Sequence, residues 1–225
     1  MEELMIAIKN INKSYKDNIL YKNFNISFAK NKVNCILGKS GCGKSTLLNI
    51  ISGLVKNDTN SLKTIEQREI SYIFQEDRLI EWLNVEENIK IVGKKFYDKE
   101  ELEDICNYYL DMVGIKKFKT YYPQKLSGGI RQRINIIRAF IYPSKIVIMD
   151  EPFKSIDVKN KKIIMENLKN ILIKDKRTVL FVTHDIEEAL FLADKIFILG
   201  DSPVKIKETI ENNINLSKEE IYKMI

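Results

Sequence analysis

The chain has 225 residues, of which 44% are hydrophobic and 30% are charged, and it carries a formal net charge of +6. This composition is ordinary for a globular protein, and the length allows one large α/β domain or two small ones. No apolar run approaches the ~18 residues of a membrane span, so any membrane role is expected to be peripheral.

The N-terminal segment alternates apolar with polar residues, and this period of two predicts antiparallel strands. Turns are predicted at Asp17-Asn18 and at Lys30-Asn31. The apolar run Val33–Leu37 then predicts a buried strand. The alternating apolar positions are Ile6, Ile8, Ile11, Phe24, Ile26 and Phe28.

The residues after this strand match the phosphate-loop pattern G-x-x-x-x-G-K-[ST] at every fixed position. Glycines let the backbone bend tightly enough for successive N–H groups to face a polyanion. Lys44 can reach the outer phosphates, Ser45 offers a hydroxyl to Mg²⁺, and a helix beginning near Lys44 points its positive end at the same charge. A nucleoside triphosphate is therefore predicted to bind at Gly38, Lys39, Ser40, Gly41, Cys42, Gly43, Lys44, Ser45 and Thr46.

Beyond this loop, strands alternate with helices, which is typical of a parallel sheet. Strands are predicted over 70–74, 146–149, 179–182, 196–199 and 203–210. Helices are predicted over 85–114, from Ser127, over 157–173, from Asp185 and, with a capping box, from Ser217. No linker divides the chain, so one domain is predicted over 1–225. Its fold class is α/β: a P-loop NTPase core with a mostly parallel sheet, an N-terminal antiparallel β subdomain and a helical subdomain inserted at about 80–140.

The strand over 146–149 leads into two carboxylates, Asp150 and Glu151. Active sites of open parallel sheets lie at the carboxyl ends of strands, so Asp150 is expected beside the phosphate loop as a Mg²⁺ partner. Glu151 points differently and is placed to orient or deprotonate the attacking water. The alternative interpretation is a turn that merely ends the strand.

A second helix start, at Leu126-Ser127-Gly128-Gly129, predicts a serine N-cap and a second anion-binding helix end. Gln75 and His184, the only histidine, each follow a predicted strand. Taken alone, each is more often structural than functional. Small basic clusters lie at 94–95, 116–117 and 159–162, and at least two of them are expected to be solvated faces rather than a nucleic-acid site.

Together these residues resemble the ATP-binding cassette (ABC) transporter ATPases, from about residue 5 to residue 199, with every motif in order. The resemblance implies ATP and Mg²⁺ as cofactors. The implied catalytic residues are Glu151 as the base, His184 as the switch histidine, the Q-loop Gln75, and Lys44. The implied metal ligands are Ser45, Gln75 and Asp150. Other implied roles are adenine stacking for Tyr15, γ-phosphate binding for the signature residues Ser127, Gly128 and Gly129, and the D-loop position for Asp157.

The resemblance also implies partners. In that family two cassettes pair head to tail, so that the signature serine of one chain completes the ATP site of the other. A second copy of this chain, an integral membrane permease and an extracytoplasmic substrate-binding protein are thus expected, with the chain at the cytoplasmic face of the membrane and no nucleic acid bound. The three cysteines, which form no C-x-x-C pair, agree with a reducing compartment.

Residues 75–89 are similar to the nitrate, sulfonate and taurine import branch. This chain differs from the branch at Glu81, where proline is usual, and at 154–157, where Gly-Ala-Leu-Asp is usual. The alternatives are another transporter branch, importer or exporter, and a soluble ABC ATPase that does not transport. A GTPase or kinase is disfavoured because no N-K-x-D motif occurs.

Overall fold

The computed structural model describes residues 5–59, 65–154, 156–200, 202–211 and 217–225. Its first strands, β1 (Met5–Tyr15) and β2 (Asn18–Ala29), pair antiparallel and form a sheet of their own. Because successive side chains of a strand point to opposite faces, one face of this sheet is apolar and buried, with Ile8 and Phe28 among its residues, and the other face carries exposed polar side chains. The predicted N-terminal antiparallel subdomain is confirmed.

The α/β core begins with β3 (Val33–Leu37), α1 (Lys44–Ile51) and β4 (Ile70–Ile73). The inserted helices follow as α2 (Val85–Lys90), α3 (Lys99–Met112) and α4 (Gly128–Ile141). The chain then returns to the core through β5 (Ile146–Asp150), α5 (Val158–Lys174), β6 (Thr178–Thr183), α6 (Ile186–Leu192), β7 (Lys195–Gly200), β8 (Lys205–Glu211) and α7 (Lys218–Met224).

Within the described ranges, the core sheet has six strands in the order β4-β5-β6-β3-β7-β8. All neighbouring pairs are parallel except β7 with β8. Because β3, β5 and β6 are adjacent and parallel, their carboxyl ends meet at one edge of the sheet. The phosphate loop, the Asp150-Glu151 pair and His184 follow these ends, so the topology brings them together.

The hydrophobic core lies on both faces of this sheet. In β3, Cys35 and Leu37 pack into one hydrophobic cluster, which lies beneath α5, α6 and the helices of the insertion. Ile36 packs into a second cluster, which lies beneath α1 and the β1–β2 sheet. Adjacent strand residues point to opposite faces, so a wholly buried strand serves both clusters. Across the described ranges, no helix combines the length and apolar character needed to span a membrane.

Two element boundaries differ from prediction. The helical stretch over 85–114 is two helices, since Asn84 forms a capping box with Glu87 at the start of α2, and Asp98 caps α3. Strand β4 ends at Ile73, before Gln75. The Phe74 ring lies between the Tyr72 ring, 4.1 Å away, and the Arg78 guanidinium, 3.5 Å away, and this stack accompanies the turn of the chain away from the sheet.

Candidate nucleotide site

The loop between β3 and α1 depends on its glycines. Gly43, the N-cap of α1, has φ 104°, and a side chain there would also contact Leu20 at 3.0 Å. At Gly38 a Cβ would lie 2.9 Å from the Leu199 carbonyl oxygen, which is backbone and cannot rotate away. The glycine spacing is therefore a steric requirement of this loop.

The lysine of the loop is buried beneath it. Lys44 is 4% exposed, and its ammonium donates hydrogen bonds to the carbonyls of Gly38 and Lys39, both at 2.8 Å. These bonds fold the side chain back along the loop, in the place where outer phosphates are expected. At the rim, Lys39, Ser40 and Gly41 are exposed, and Cys42, Gly43, Ser45 and Thr46 are half-buried.

The loop contacts the end of β5 directly. The Ser45 hydroxyl donates to Asp150 Oδ1 at 2.9 Å. Burial, together with the neighbouring Glu151 charge, raises the pKa of Asp150. A hydroxyl and a carboxylate in contact suit Mg²⁺, which takes few protein ligands and completes its shell with phosphate and water oxygens. Gln75, exposed after β4, lines the same cleft as Asp150.

Glu151 is held in an unusual backbone conformation. Its φ is +44°, in the left-handed region that a non-glycine residue adopts at a cost of about 1–3 kcal/mol. The side chain is 10% exposed, and its carboxylate oxygens lie 3.1 Å from the Lys154 ammonium and 3.4 Å from His184 Nδ1. Burial raises the pKa of Glu151, but the contact with the Lys154 ammonium, and then that with His184, outweigh burial, and the pKa is lowered. Glu151 is thus kept ionised, as a proton acceptor requires.

The loop that carries His184 is fixed on both sides. The Thr183 hydroxyl donates to Glu188, and the Asp185 carboxylate caps the first turn of α6. The Lys161 ammonium, on α5, lies 2.5 Å from both Asp185 and Glu188. His184 itself remains half exposed, with its ring directed at Glu151.

The second helix start departs from prediction in one respect. Ser127 occupies the N-cap position of α4, but its side chain makes no capping hydrogen bond. Ser127 and Gly128 are exposed, whereas Gly129 is buried against Asn160 of α5. No hydrogen bond found in the described ranges joins these residues to the phosphate loop. The exposed hydroxyl is therefore available to a ligand from outside the chain.

The remaining predicted residues, Tyr15 and Asp157, are both exposed. Tyr15, at the end of β1, is 50% exposed, with the Lys13 ammonium 5.3 Å from its ring centroid. Asp157 caps α5 through Asn160, and its side chain is otherwise exposed. The sequence did not indicate a role for Lys161, because a lysine carries no local signal that it will pair with a distant carboxylate. Lys154 pairs with Glu151 only three residues earlier, but that contact depends on the left-handed turn at Glu151, which the sequence did not predict.

Comparison with known proteins agrees with this geometry. A family model described as ABC transporter matches residues 21–154. The aliphatic sulfonates import ATP-binding protein SsuB of Bacillus thuringiensis subsp. konkukian (strain 97-27) is 37% identical over 203 residues, 86% of this chain and 79% of the relative. The nitrate import ATP-binding protein NrtD of Synechocystis sp. (strain ATCC 27184) is 35% identical over 210 residues, 90% of this chain and 78% of the relative.

Solved structures show the same architecture. The dimeric bacterial ABC transporter cassette MJ0796 superposes with a TM-score of 0.78 at 30% identity, over 93% of this chain and 99% of that one. A second structure of that cassette is described as a dimeric post-hydrolysis state bound to ADP and Pi, and it superposes equally well. The predicted α/β class, with its P-loop core and mostly parallel sheet, is confirmed.

Proposed function

The chain belongs to the ABC transporter family, and from its site we propose that it is the ATP-hydrolysing, energy-coupling subunit of an importer of a small anion such as a sulfonate or nitrate. The observation that carries the ATPase assignment is the direct contact between Ser45 and Asp150, with Glu151 next to it and His184 beyond. The importer assignment is supported by the names of the SsuB and NrtD relatives.

In this proposal the phosphate loop and the Lys44 ammonium bind the triphosphate. Ser45, Asp150 and Gln75 would hold Mg²⁺, which when bound supplies charge neutralisation at the outer phosphates. Glu151 orients a water and accepts its proton, and His184 holds the carboxylate in place. Glu151 Oε2 lies 3.1 Å from the Lys154 ammonium but is buried without a hydrogen-bond partner among the described residues, so this oxygen is open to a water.

A second copy of the chain would complete the site. The Ser127 hydroxyl is exposed and spends no hydrogen bond on its own helix, so it is free to bind a phosphate held by another chain. Head-to-tail pairing supplies that phosphate. The dimeric cassettes to which this fold is similar support this arrangement.

A membrane permease is the proposed partner at the exposed surface of the segment that follows Gln75. The large side chain of Trp82 is 78% exposed to solvent. Tyr121 and Tyr122 are nearly half exposed in the same subdomain, where the Tyr121 carbonyl accepts a hydrogen bond from the N–H of Val85, so the three form an exposed aromatic surface. We place the coupling helix of the permease against the segment from Gln75 to Trp82, at the cytoplasmic face of the membrane. An extracytoplasmic binding protein would deliver the anion.

The ATPase proposal is tested with Glu151→Gln. Because the phosphate loop is intact, this variant should bind ATP, lose nearly all hydrolysis, and accumulate as an ATP-bound dimer. Size-exclusion chromatography with ATP and Mg²⁺, beside a phosphate-release assay, measures both properties. Hydrolysis at the wild-type rate without a dimer would reject the assigned roles.

The transport proposal is tested in cells. A strain lacking the gene should fail to grow with an alkanesulfonate as sole sulfur source, or with nitrate as sole nitrogen source, and Lys44→Ala should not restore growth where the wild-type chain does. Normal growth of the deletion strain on both would remove these anions as substrates.

A further inference from the structure

Arg131 connects the start of α4 to the segment that follows Gln75. Its Nε donates to Asp77 Oδ2 at 2.8 Å and its Nη2 to Asp77 Oδ1 at 2.6 Å, a pair of parallel bonds. The same Nη2 donates to Glu81 Oε1 at 2.8 Å. A planar guanidinium that binds a carboxylate through two bonds fixes orientation as well as distance. One side chain therefore holds both ends of the 77–81 segment.

Further contacts tie the same segment to α4 and to the loop before it. The backbone N–H of Arg131 donates to the Ser127 carbonyl at 3.0 Å, which places Arg131 one turn after the signature serine. Gln124, just before that serine, donates from its side chain to the Glu81 carbonyl at 2.9 Å. Arg138, two turns further along α4, donates to the Arg78 carbonyl at 2.7 Å. The 77–81 segment is thus hydrogen-bonded to the loop before α4, to the first turn of α4 and to a residue further along this helix.

The two ends of the segment have different neighbours. At one end, Gln75 lies two residues before Asp77 and lines the cleft of Asp150. At the other end, Trp82 directly follows Glu81 and is 78% exposed. Among the contacts of this segment, those of Arg131 are the ones that reach both Asp77 and Glu81 from the first turn of α4, so Arg131 directly links both ends to the helix start.

We propose that Arg131, bound to Asp77 and Glu81, is a positioning residue that makes the 77–82 segment and the Ser127 turn move as one body, so that events at Gln75 and Trp82 set how Ser127 is presented to a second copy of the chain. The inference rests on the proposed function, since it requires Ser127 to act across a dimer. Glu81 supplies the second carboxylate, and proline, which is usual at this position in the branch that the chain resembles, would offer none to Arg131.

The test separates ATP binding within one chain from pairing of two chains. In the Glu151→Gln background, the affinity for the fluorescent analogue mant-ATP is measured at protein concentrations well below the dissociation constant of the dimer, so that the chain is monomeric. The dissociation constant of the ATP-bound dimer is measured by analytical ultracentrifugation. Arg131→Ala should leave mant-ATP affinity within about twofold and weaken the dimer roughly tenfold, as expected for loss of a bidentate, partly exposed charge pair.

Graded variants make the test specific. Arg131→Lys should give an intermediate loss, because an ammonium cannot replace the planar fork. Glu81→Gln should lose less than Arg131→Ala, because the two bonds to Asp77 remain. Asp104→Asn removes one exposed charge from the same helical subdomain and should change neither quantity. If Arg131→Ala does not fold, Asp77→Asn keeps the side-chain shape and should weaken the dimer in the same way.

Three outcomes would overturn the inference. If Glu151→Gln dimerises and Arg131→Ala dimerises equally well, the positioning role is wrong while the proposed function stands. If Glu151→Gln itself does not dimerise with ATP, the inference falls together with the proposed function. If mant-ATP affinity falls in step with dimerisation, Arg131 supports the fold generally and does not position Ser127.

Discussion

Replacement of Lys161 by methionine tests how the His184 loop is held. Lys161 lies 2.5 Å from both Asp185 and Glu188, and the Glu188 side chain is only 6% exposed. Methionine keeps most of the volume but leaves the Glu188 carboxylate buried without its cation. The Thr183 hydroxyl still donates to that carboxylate, so the loss should be partial.

The magnitude follows from these contacts. Breaking a buried ion pair from one side costs about 3–5 kcal/mol. Because Lys161 is 21% exposed and water can enter its place, we expect about 2–3 kcal/mol. For a chain of this size that is a fall in Tm of about 4–12 °C. Hydrolysis should decline more than ATP affinity, since Thr183 and Asp185 flank His184 and lie outside the phosphate loop.

The pH dependence has a defined sign. Burial already raises the pKa of Glu188 above its ordinary value, and loss of Lys161 should raise it further. A carboxyl whose pKa is higher in the folded chain than in the unfolded chain binds protons preferentially in the folded state. The loss of stability caused by Lys161→Met should therefore be complete at pH values above the pKa of Glu188 in the folded variant. It should shrink as the pH falls through that pKa, and it should be smallest below the ordinary pKa of a glutamate, about 4.3.

Thermal melts at about pH 8 and about pH 5, compared with ATPase assays, measure these effects. The control is Lys162→Met, which removes the same charge from an exposed neighbouring position. Equal melting temperatures for the two variants, or a difference that does not shrink at the lower pH, would refute the reasoning.

Three further predictions concern the phosphate loop and the signature serine. Gly38→Ala should lower ATP affinity at least tenfold in a nucleotide-titration assay, because its Cβ meets backbone at 2.9 Å; unchanged affinity would contradict the packing argument. A small maleimide should alkylate half-buried Cys42 faster than fully buried Cys35, whose pKa is raised by burial, and MgATP should protect Cys42; peptide mass spectrometry showing equal labelling with and without MgATP would contradict binding at this loop. Mixing Ser127→Arg with Lys44→Ala should restore ATPase activity through one intact composite site per heterodimer, whereas activity that only sums the two variants would indicate a self-contained site.

Much of the site was predictable from short stretches of sequence. The phosphate loop is a local structure, since its glycines permit left-handed φ values and its lysine bonds to carbonyls only five and six residues away. Strands β3, β5 and β6 were recognisable because strands buried on both faces read as continuous apolar runs. Their shared edge followed from the expectation of a parallel sheet.

Element ends were less predictable, because they depend on side-chain contacts outside the pattern. The stretch over 85–114 has a continuous helical pattern, yet the caps at Asn84 and Asp98 begin two separate helices. The strand over 70–74 stops one residue early, where Phe74 stacks between Tyr72 and Arg78. The Ser127 position was predicted correctly as an N-cap, but its hydroxyl is left without a capping bond.

The sequence by itself predicted which residues would meet a triphosphate, because those motifs act through backbone geometry and through side chains at strand ends. Only the tertiary structure decided what holds them in place. The basic cluster at 159–162 appears as a solvated helix face in sequence, and Lys159 and Lys162 are indeed exposed, but Lys161 points inward to two carboxylates of α6. Arg131 likewise reaches across some fifty residues of chain to Asp77. Such pairs require two distant segments to be packed side by side, and that proximity is a property of the assembled fold.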